Sequence, residues 1–214
     1  MTPPPLTKLR LRIVECAGES GGIRTESVFC PWRATSRAVH ACRTCPHFEL
    51  VDREGGVMVC AREPAIAPHE VEELVLTRRI HFGVDALTKR TAIGAVSWTN
   101  VLCASGETTV DTVEALLTCS NAHGVVLVDE DKRPVGFVSR AALSTERDGD
   151  VGACVETPFI VVDEACPVAE AIERWVHERQ RVAVTVDRKR RVTGVVTDLD
   201  VLRWLGRLAR GVHH

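Results

Sequence analysis

The chain has 214 residues, 45% of them hydrophobic and 26% charged, with a formal net charge of −2. That composition is ordinary for a soluble globular protein and gives no global electrostatic case for binding nucleic acid or an anionic membrane. No apolar run approaches the roughly 18–20 residues of a membrane span, and Met1-Thr2-Pro3-Pro4-Pro5 lacks the basic and apolar stretches of a signal peptide, so the expected location is cytoplasmic.

The polar, proline-rich start is expected to be disordered. Residues 9–14 alternate basic and apolar side chains and predict a strand, followed by a turn at 18–22. Short β-like runs at 27–30 and 56–60 flank Cys42 and Cys45, and 62–68 reads as a linker. Residues 70–77 and 84–96 have helical spacing. From Thr99 a strand–helix–strand–strand–helix order runs twice. Strands are predicted at 101–103 and 159–162, and amphipathic helices at 109–119 and 167–177. Hairpins follow at 124–128 with 135–139 and at 182–186 with 192–197, and closing helices at 141–143 and 199–208. The charged segment 144–151 joins the copies.

The two copies match without a gap at an offset of fifty-eight residues. Thr99 falls on Thr157, Val110 on Val168, Val128-Asp129 on Val186-Asp187, Gly136 on Gly194 and Ser139 on Thr197. Such a repeat marks two copies of a unit that cannot bury its apolar face alone. The copies differ where chemistry is possible. The second ends its last strand with Thr197-Asp198-Leu199-Asp200, whereas the first has Ser139-Arg140-Ala141-Ala142. A carboxylate three residues after a hydroxyl can accept from vicinal ribose hydroxyls, and the following helix N-terminus offers backbone N–H groups to an anion. The same spacing also describes a helix cap, and both descriptions can hold together.

The segments Gly136-Phe137-Val138-Ser139 and Gly194-Val195-Val196-Thr197-Asp198-Leu199-Asp200-Val201-Leu202, with the Val-Asp turns before them and Thr99 and Thr157 opening each copy, resemble the CBS-domain family. The resemblance covers roughly the last sixty percent of the chain. It implies an α/β (α+β) fold in which two motifs pack through their sheets, pairs that dimerise into a disk, and two clefts for AMP, ADP, ATP or S-adenosylmethionine. By this analogy Thr197, Asp200 and Asp198 would contact a ligand in the second copy, with Thr157 and Phe159 on the base side of the same cleft. Ala142 cannot accept from ribose and Arg140 adds bulk, so the first cleft is expected to be empty or to prefer an anion. The basic turn Arg188-Lys189-Arg190-Arg191 is too small a footprint for nucleic acid, and His123 and His177 match no ligand spacing.

Cysteines sort into two groups. Cys103, Cys119, Cys154 and Cys166 sit in apolar or helical patterns and read as structural. Cys30, Cys42, Cys45 and Cys60 instead form a four-thiol set with one C-x2-C pair, in a stretch poor in large aliphatic residues. That donor set suits tetrahedral zinc, which would supply much of the folding free energy of so small a module. The layout is similar to a zinc ribbon with one knuckle intact. An iron–sulfur cluster, a metal-free state and a Cys42–Cys45 redox dithiol are the alternatives; His40 and His47 could replace one ligand, and Cys16 lies too far away to be included.

The domain expectation is therefore a cysteine-rich module at 1–68, a helical linker at 69–98 and a tandem pair at 99–214, with copies at 99–146 and 152–208. No pairing of nucleophile and base stands out, so no enzymatic activity is expected. The leading functional expectation is a regulatory protein that senses an adenosine-containing ligand, with the cysteine module addressing a protein partner and homodimers forming through the pair. The alternative is a nucleic-acid-binding regulator led by the zinc ribbon, given Lys8, Arg10, Arg12, Arg24, Arg33 and Arg37 in the N-terminal third, with the pair as dimerisation scaffold.

Overall fold

The computed structural model describes residues 6–16, 23–62, 88–97, 100–120, 122–143, 149–154 and 157–209. Thr99, the helix expected at 70–77 and the first part of the one expected at 84–96 lie outside them. The first five strands are β1 (Leu6–Cys16), β2 (Ile23–Cys30), β3 (Thr35–Ala38), β4 (Phe48–Asp52) and β5 (Val57–Ala61), with a one-turn helix α1 (Val39–Cys42) after β3. After α2 (Ile93–Val96), the first copy is β6 (Val101–Ala104), α3 (Val110–Cys119), β7 (Gly124–Val128), β8 (Pro134–Ser139) and α4 (Arg140–Leu143). The second is β9 (Ile160–Asp163), α5 (Val168–Glu178), β10 (Val182–Val186), β11 (Val192–Thr197) and α6 (Asp198–Ala209). Strands β3 and β4 were not legible in the sequence, being short and mostly half-exposed.

The apolar runs of the central strands are explained by burial on both faces. In β7, Val125 and Leu127 pack against the first copy's helices while Val126 faces the other sheet. In β10, Ala183 packs toward α5 and Val184 toward the first copy. The two sheets thus meet through Val101, Cys103, Val126, Phe137, Val184, Val192 and Val195.

Each copy is completed by a segment from just before the other. Ile93 and Val96 of α2 lie in the core of the second copy, whereas Val151 and Cys154 lie in the core of the first. The hydrogen bonds repeat the exchange at the fifty-eight-residue offset. Ile93 N donates to Cys166 O (2.7 Å), Gly94 N to Glu164 O (2.9 Å) and Val168 N to Thr91 O (2.9 Å). Their counterparts are Val151 N to Thr108 O (2.8 Å), Gly152 N to Gly106 O (2.9 Å) and Val110 N to Gly149 O (3.0 Å). Glycine is required at both close approaches, since a Cβ on Gly94 would sit 2.9 Å from Glu164 O and one on Gly152 2.8 Å from Gly106 O.

The cysteine-bearing strands do not form a separate layer. Strand β1 pairs antiparallel with β5 over residues 6–10 and with β2 over 11–16, and its last three residues pair parallel with β6. The first copy's sheet is thereby continuous with the N-terminal strands, eight in all, while β9–β11 form a separate three-stranded sheet. A small core of Leu9, Val28, Cys42, Met58 and Cys60, lined by Leu11, Trp32, Phe48 and Val51, sits under these strands. The N-terminal part therefore has an apolar core of its own, in contrast to the expectation from its composition.

A buried polar junction ties this part to the second copy. Arg12 is 1% exposed and Glu164 2%. The Glu164 carboxylate accepts from Ser36 N (2.7 Å), Thr35 Oγ1 (3.0 Å) and Ser36 Oγ, and Arg12 Nη2 donates to Ser36 Oγ (2.5 Å). Burial lowers the Arg12 pKa to about 10, opposed by the charge of Glu164. Removing one member of a buried charged network leaves the other uncompensated, at a cost of about 3–5 kcal/mol. Arg12→Ala is expected to lose stability of that order in urea unfolding. A loss under about 1 kcal/mol would show that the junction is not carried by these charges.

Candidate functional site

The end of β11 and the start of α6 form a reciprocal cap. Thr197 precedes the first helical residue, and its Oγ1 accepts from Asp200 N (3.3 Å). In return the Asp200 carboxylate accepts from Thr197 N (2.9 Å) and Thr197 Oγ1 (2.8 Å), both at Oδ2. This is a capping-box arrangement with aspartate in place of glutamate. Asp200 is 1% exposed, and its other oxygen, Oδ1, lies 4.0 Å from Arg203 Nη1. The fold therefore brings Thr197 and Asp200 together. It also turns the carboxylate back onto its own helix start.

His123 completes this surrounding, with Nε2 3.8 Å from Asp200 Oδ2. Its spacing in the sequence matches no ligand set. Its counterpart at the repeat offset is Arg181, and no one-dimensional signal says that the start of β7 meets the start of α6 across the two copies. Asp198 is directed elsewhere: it accepts from Arg181 Nε and forms an ion pair with Arg181 Nη2, both at 2.8 Å. Phe159 is partly buried between the sheets, its ring 6.4 Å from that of Phe137 at an interplanar angle of 56°.

Thr157 is engaged by the first copy. Its N–H donates to Phe137 O (2.6 Å) and its Oγ1 accepts from Ser139 N (3.1 Å). In the second copy the equivalent N–H, that of Thr197, is taken by the Asp200 carboxylate. Ala142 has no acceptor to offer, and the Thr157 hydroxyl fills that role. Ser139 Oγ still accepts from Ala142 N (3.2 Å), which keeps half of the cap. Arg140 turns away from this cap, its Nη2 donating to Leu117 O at 2.6 Å.

Cys30, Cys42, Cys45 and Cys60 are neighbours. Cys45 N donates to Cys42 O (2.9 Å) and Phe48 N to Cys45 O (3.0 Å), forming a tight turn, and Cys60 stands opposite Phe48 in the β4–β5 ladder. Burial, then the nearby Cys42, Cys45 and Cys30, pushes the Cys60 thiol up to about 11. Cys42 is raised by burial and by Cys30, against Arg37. Among the described residues, however, no three His, Cys, Asp or Glu side chains are placed to hold a metal ion. Of the later cysteines, Cys154 is a core residue and Cys119 is exposed. No helix among the described residues is long and apolar enough to cross a membrane.

Two strand–helix–strand–strand–helix units exchange their leading segments and pack sheet to sheet as a tandem pair. The family model described as CBS domain matches residues 93–147 and 150–207, over half of the sequence, and the chain belongs to the CBS-domain family. Comparison with curated proteins gives no match. Among solved structures, the CBS domain of the bacterial CNNM/CorC family Mg2+ transporter is 15% identical with a TM-score of 0.50, covering 70% of this chain and 99% of that one. The CBS domain pair of protein MJ0100, in complex with 5-methylthioadenosine and S-adenosyl-L-methionine, is 20% identical with a TM-score of 0.47, covering 54% and 96%. CBSX2 in complex with AMP is 21% identical with a TM-score of 0.44, covering 55% and 97%. At these identities the likeness is one of fold.

The Thr157 contact carries a prediction. Thr157→Val keeps the shape but removes the acceptor of the partly buried Ser139 N, a net cost of about 0.5–1.5 kcal/mol. The melting temperature is expected to fall accordingly. An unchanged value would mean that water replaces the hydroxyl.

Proposed function

We propose that this protein is a regulatory CBS-domain protein whose second copy binds an adenosine-containing ligand, AMP, ADP, ATP or S-adenosylmethionine. The observation that carries this reading is the Thr197–Asp200 pair at a strand end and helix start, where Thr197 engages only Oδ2 of the carboxylate. Oδ1, buried and 4.0 Å from Arg203 Nη1, is the acceptor that a ribose hydroxyl would engage, with Arg203 as the nearby cation. The first copy keeps a hydroxyl at Ser139 but has no carboxylate, so one ligand per chain follows. Asp198, held by Arg181, and Thr157, held at Ser139, contribute less than the sequence pattern implies. A homodimer through the pair belongs to the same reading. Val176, Leu199 and Leu202 on the second copy's helices are exposed and supply apolar surface; a monomeric mass in sedimentation would remove this part.

Calorimetric titration with the four ligands tests the site. One of them is expected to saturate at one per chain. Asp200→Asn is expected to weaken it roughly ten- to hundredfold, the equivalent of a charged hydrogen bond worth about 1.5–3 kcal/mol. Absence of heat with all four from folded protein, or equal affinity in the variant, would overturn the reading.

A second element rests on the neighbouring thiols of Cys30, Cys42, Cys45 and Cys60. Four thiols are the donor set of a structural zinc ion, which would have to draw them together from their present placement and deprotonate them against the upward shifts at Cys42 and Cys60. Such an ion would cross-link β2, the α1 turn and β5 and offer a fixed surface to a partner. Elemental analysis of purified protein is expected to give one zinc per chain, with a lower melting temperature after chelation. Metal-free protein with an unchanged melting temperature would leave the four thiols as residues of the small N-terminal core.

A further inference from the structure

Cys16 and Cys103 are registered neighbours on the parallel strands β1 and β6. Adjacent strands lie about 4.8 Å apart, within the roughly 4.4–6.8 Å Cα separation that a disulfide spans. Both side chains join the same cluster between the sheets, Cys103 fully buried and Cys16 half-buried at its margin. They also line one cavity of about 390 Å³, shared with Lys132, Arg37, Arg191 and Asp187. Of these, Asp187 and Arg191 satisfy each other, with Arg191 Nη2 2.7 Å from Asp187 Oδ2. Lys132 lines the same cavity as the Cys16 sulfur, and its charge favours the thiolate there. An open cavity, a cation in its lining and two sulfurs in register on adjacent strands are the ingredients of a peroxidatic and resolving pair.

We propose that Cys16 and Cys103 form a hydroperoxide-reactive dithiol, in which Cys16 attacks the oxidant and Cys103 closes a disulfide across β1 and β6. The Cys16 thiolate attacks the terminal oxygen of the hydroperoxide. An S–O bond forms, the O–O bond breaks, and the departing oxyanion takes up a proton and leaves as the alcohol, or as water from hydrogen peroxide. Cys16 is then a sulfenic acid. The Cys103 sulfur attacks the Cys16 sulfur, the S–S bond forms, and the hydroxyl leaves as water with the Cys103 proton. Two electrons pass from the dithiol to the peroxide.

The electrostatics agree with this division of roles. The hydrogen bond from Cys103, then the charge and hydrogen bond of Lys132, bring Cys16 down to about 6 against the opposing effect of burial. Cys103 is pushed well above its ordinary value by its bond to Cys16 and by burial. Both directions favour the thiolate on Cys16 and the thiol on Cys103. The product would lock the N-terminal strands onto the first copy's sheet, beside the contact between the two copies.

The test is oxidation of the reduced full-length protein with equimolar hydrogen peroxide at neutral pH, followed by non-reducing peptide mapping over time. Cys16 is expected to react several-fold faster than the exposed Cys119. The first disulfide is expected to be Cys16–Cys103. Cys103→Ser is expected to leave a sulfenic acid on Cys16, trapped by dimedone. Lys132→Met, on an exposed hairpin where folding is not at stake, is expected to slow Cys16 several-fold. Cys16 reacting no faster than Cys119, Cys16 pairing first with another cysteine, or an unchanged rate in Lys132→Met would each overturn the proposal.

Discussion

A buried carboxylate holds this molecule together. Glu164 sits at the end of β9, where the first copy has Gly106, and reaches out of the second copy to the backbone and hydroxyls of β3. Arg12 reaches the same serine from β1 and also donates to Gly94 O at 3.4 Å. One network therefore joins the N-terminal strands, the exchanged helix α2 and the second copy. A buried charge this expensive to leave unpaired specifies which surfaces meet. The continuous eight-stranded sheet accounts for the join to the first copy only.

The exchange of leading segments explains why the two copies behave as one unit. Neither core is closed by its own chain segment: Ile93 and Val96 fill the second, Val151 and Cys154 the first. Pseudo-symmetry is kept wherever backbone hydrogen bonds and apolar contacts are at stake. It is released at the two strand ends that lead into α4 and α6. There one copy satisfies its Thr197 N–H with a carboxylate, and the other borrows a hydroxyl from Thr157. The asymmetry of the candidate ligand site thus grows from a small difference in how two helix starts are capped.

Much of the fold was legible because the signals are local and repeated. The β-branched runs at 124–128 and 182–186, the turn residues after them and the helix starts at Thr109 and Pro167 lie within one residue of the predicted boundaries. The candidate site was half legible. Thr197 and Asp200 are three residues apart, so local helix geometry alone brings them together. The contacts of Thr157, His123 and Cys16 were not legible because their partners lie in other strands, at separations that no periodicity encodes. The N-terminal third was read least well. Its cysteines suggested a separate metal-stabilised module, while Cys42 and Cys60 pack in an apolar core and β1 continues into the first copy's sheet.

The sequence by itself determined the repeat, the order of elements in each copy, the family, and the loss of the acidic residue from the first strand end. Those properties depend on residue identity and short spacing, which a linear chain displays directly. Only the tertiary structure decided which copy receives each leading segment, that Thr157 serves the first copy's cap, that Arg12 and Glu164 are buried across one junction, and that Cys16 stands beside Cys103. Each of these is a strand register or a crossover between segments, set by which apolar faces bury each other and which buried charges must meet.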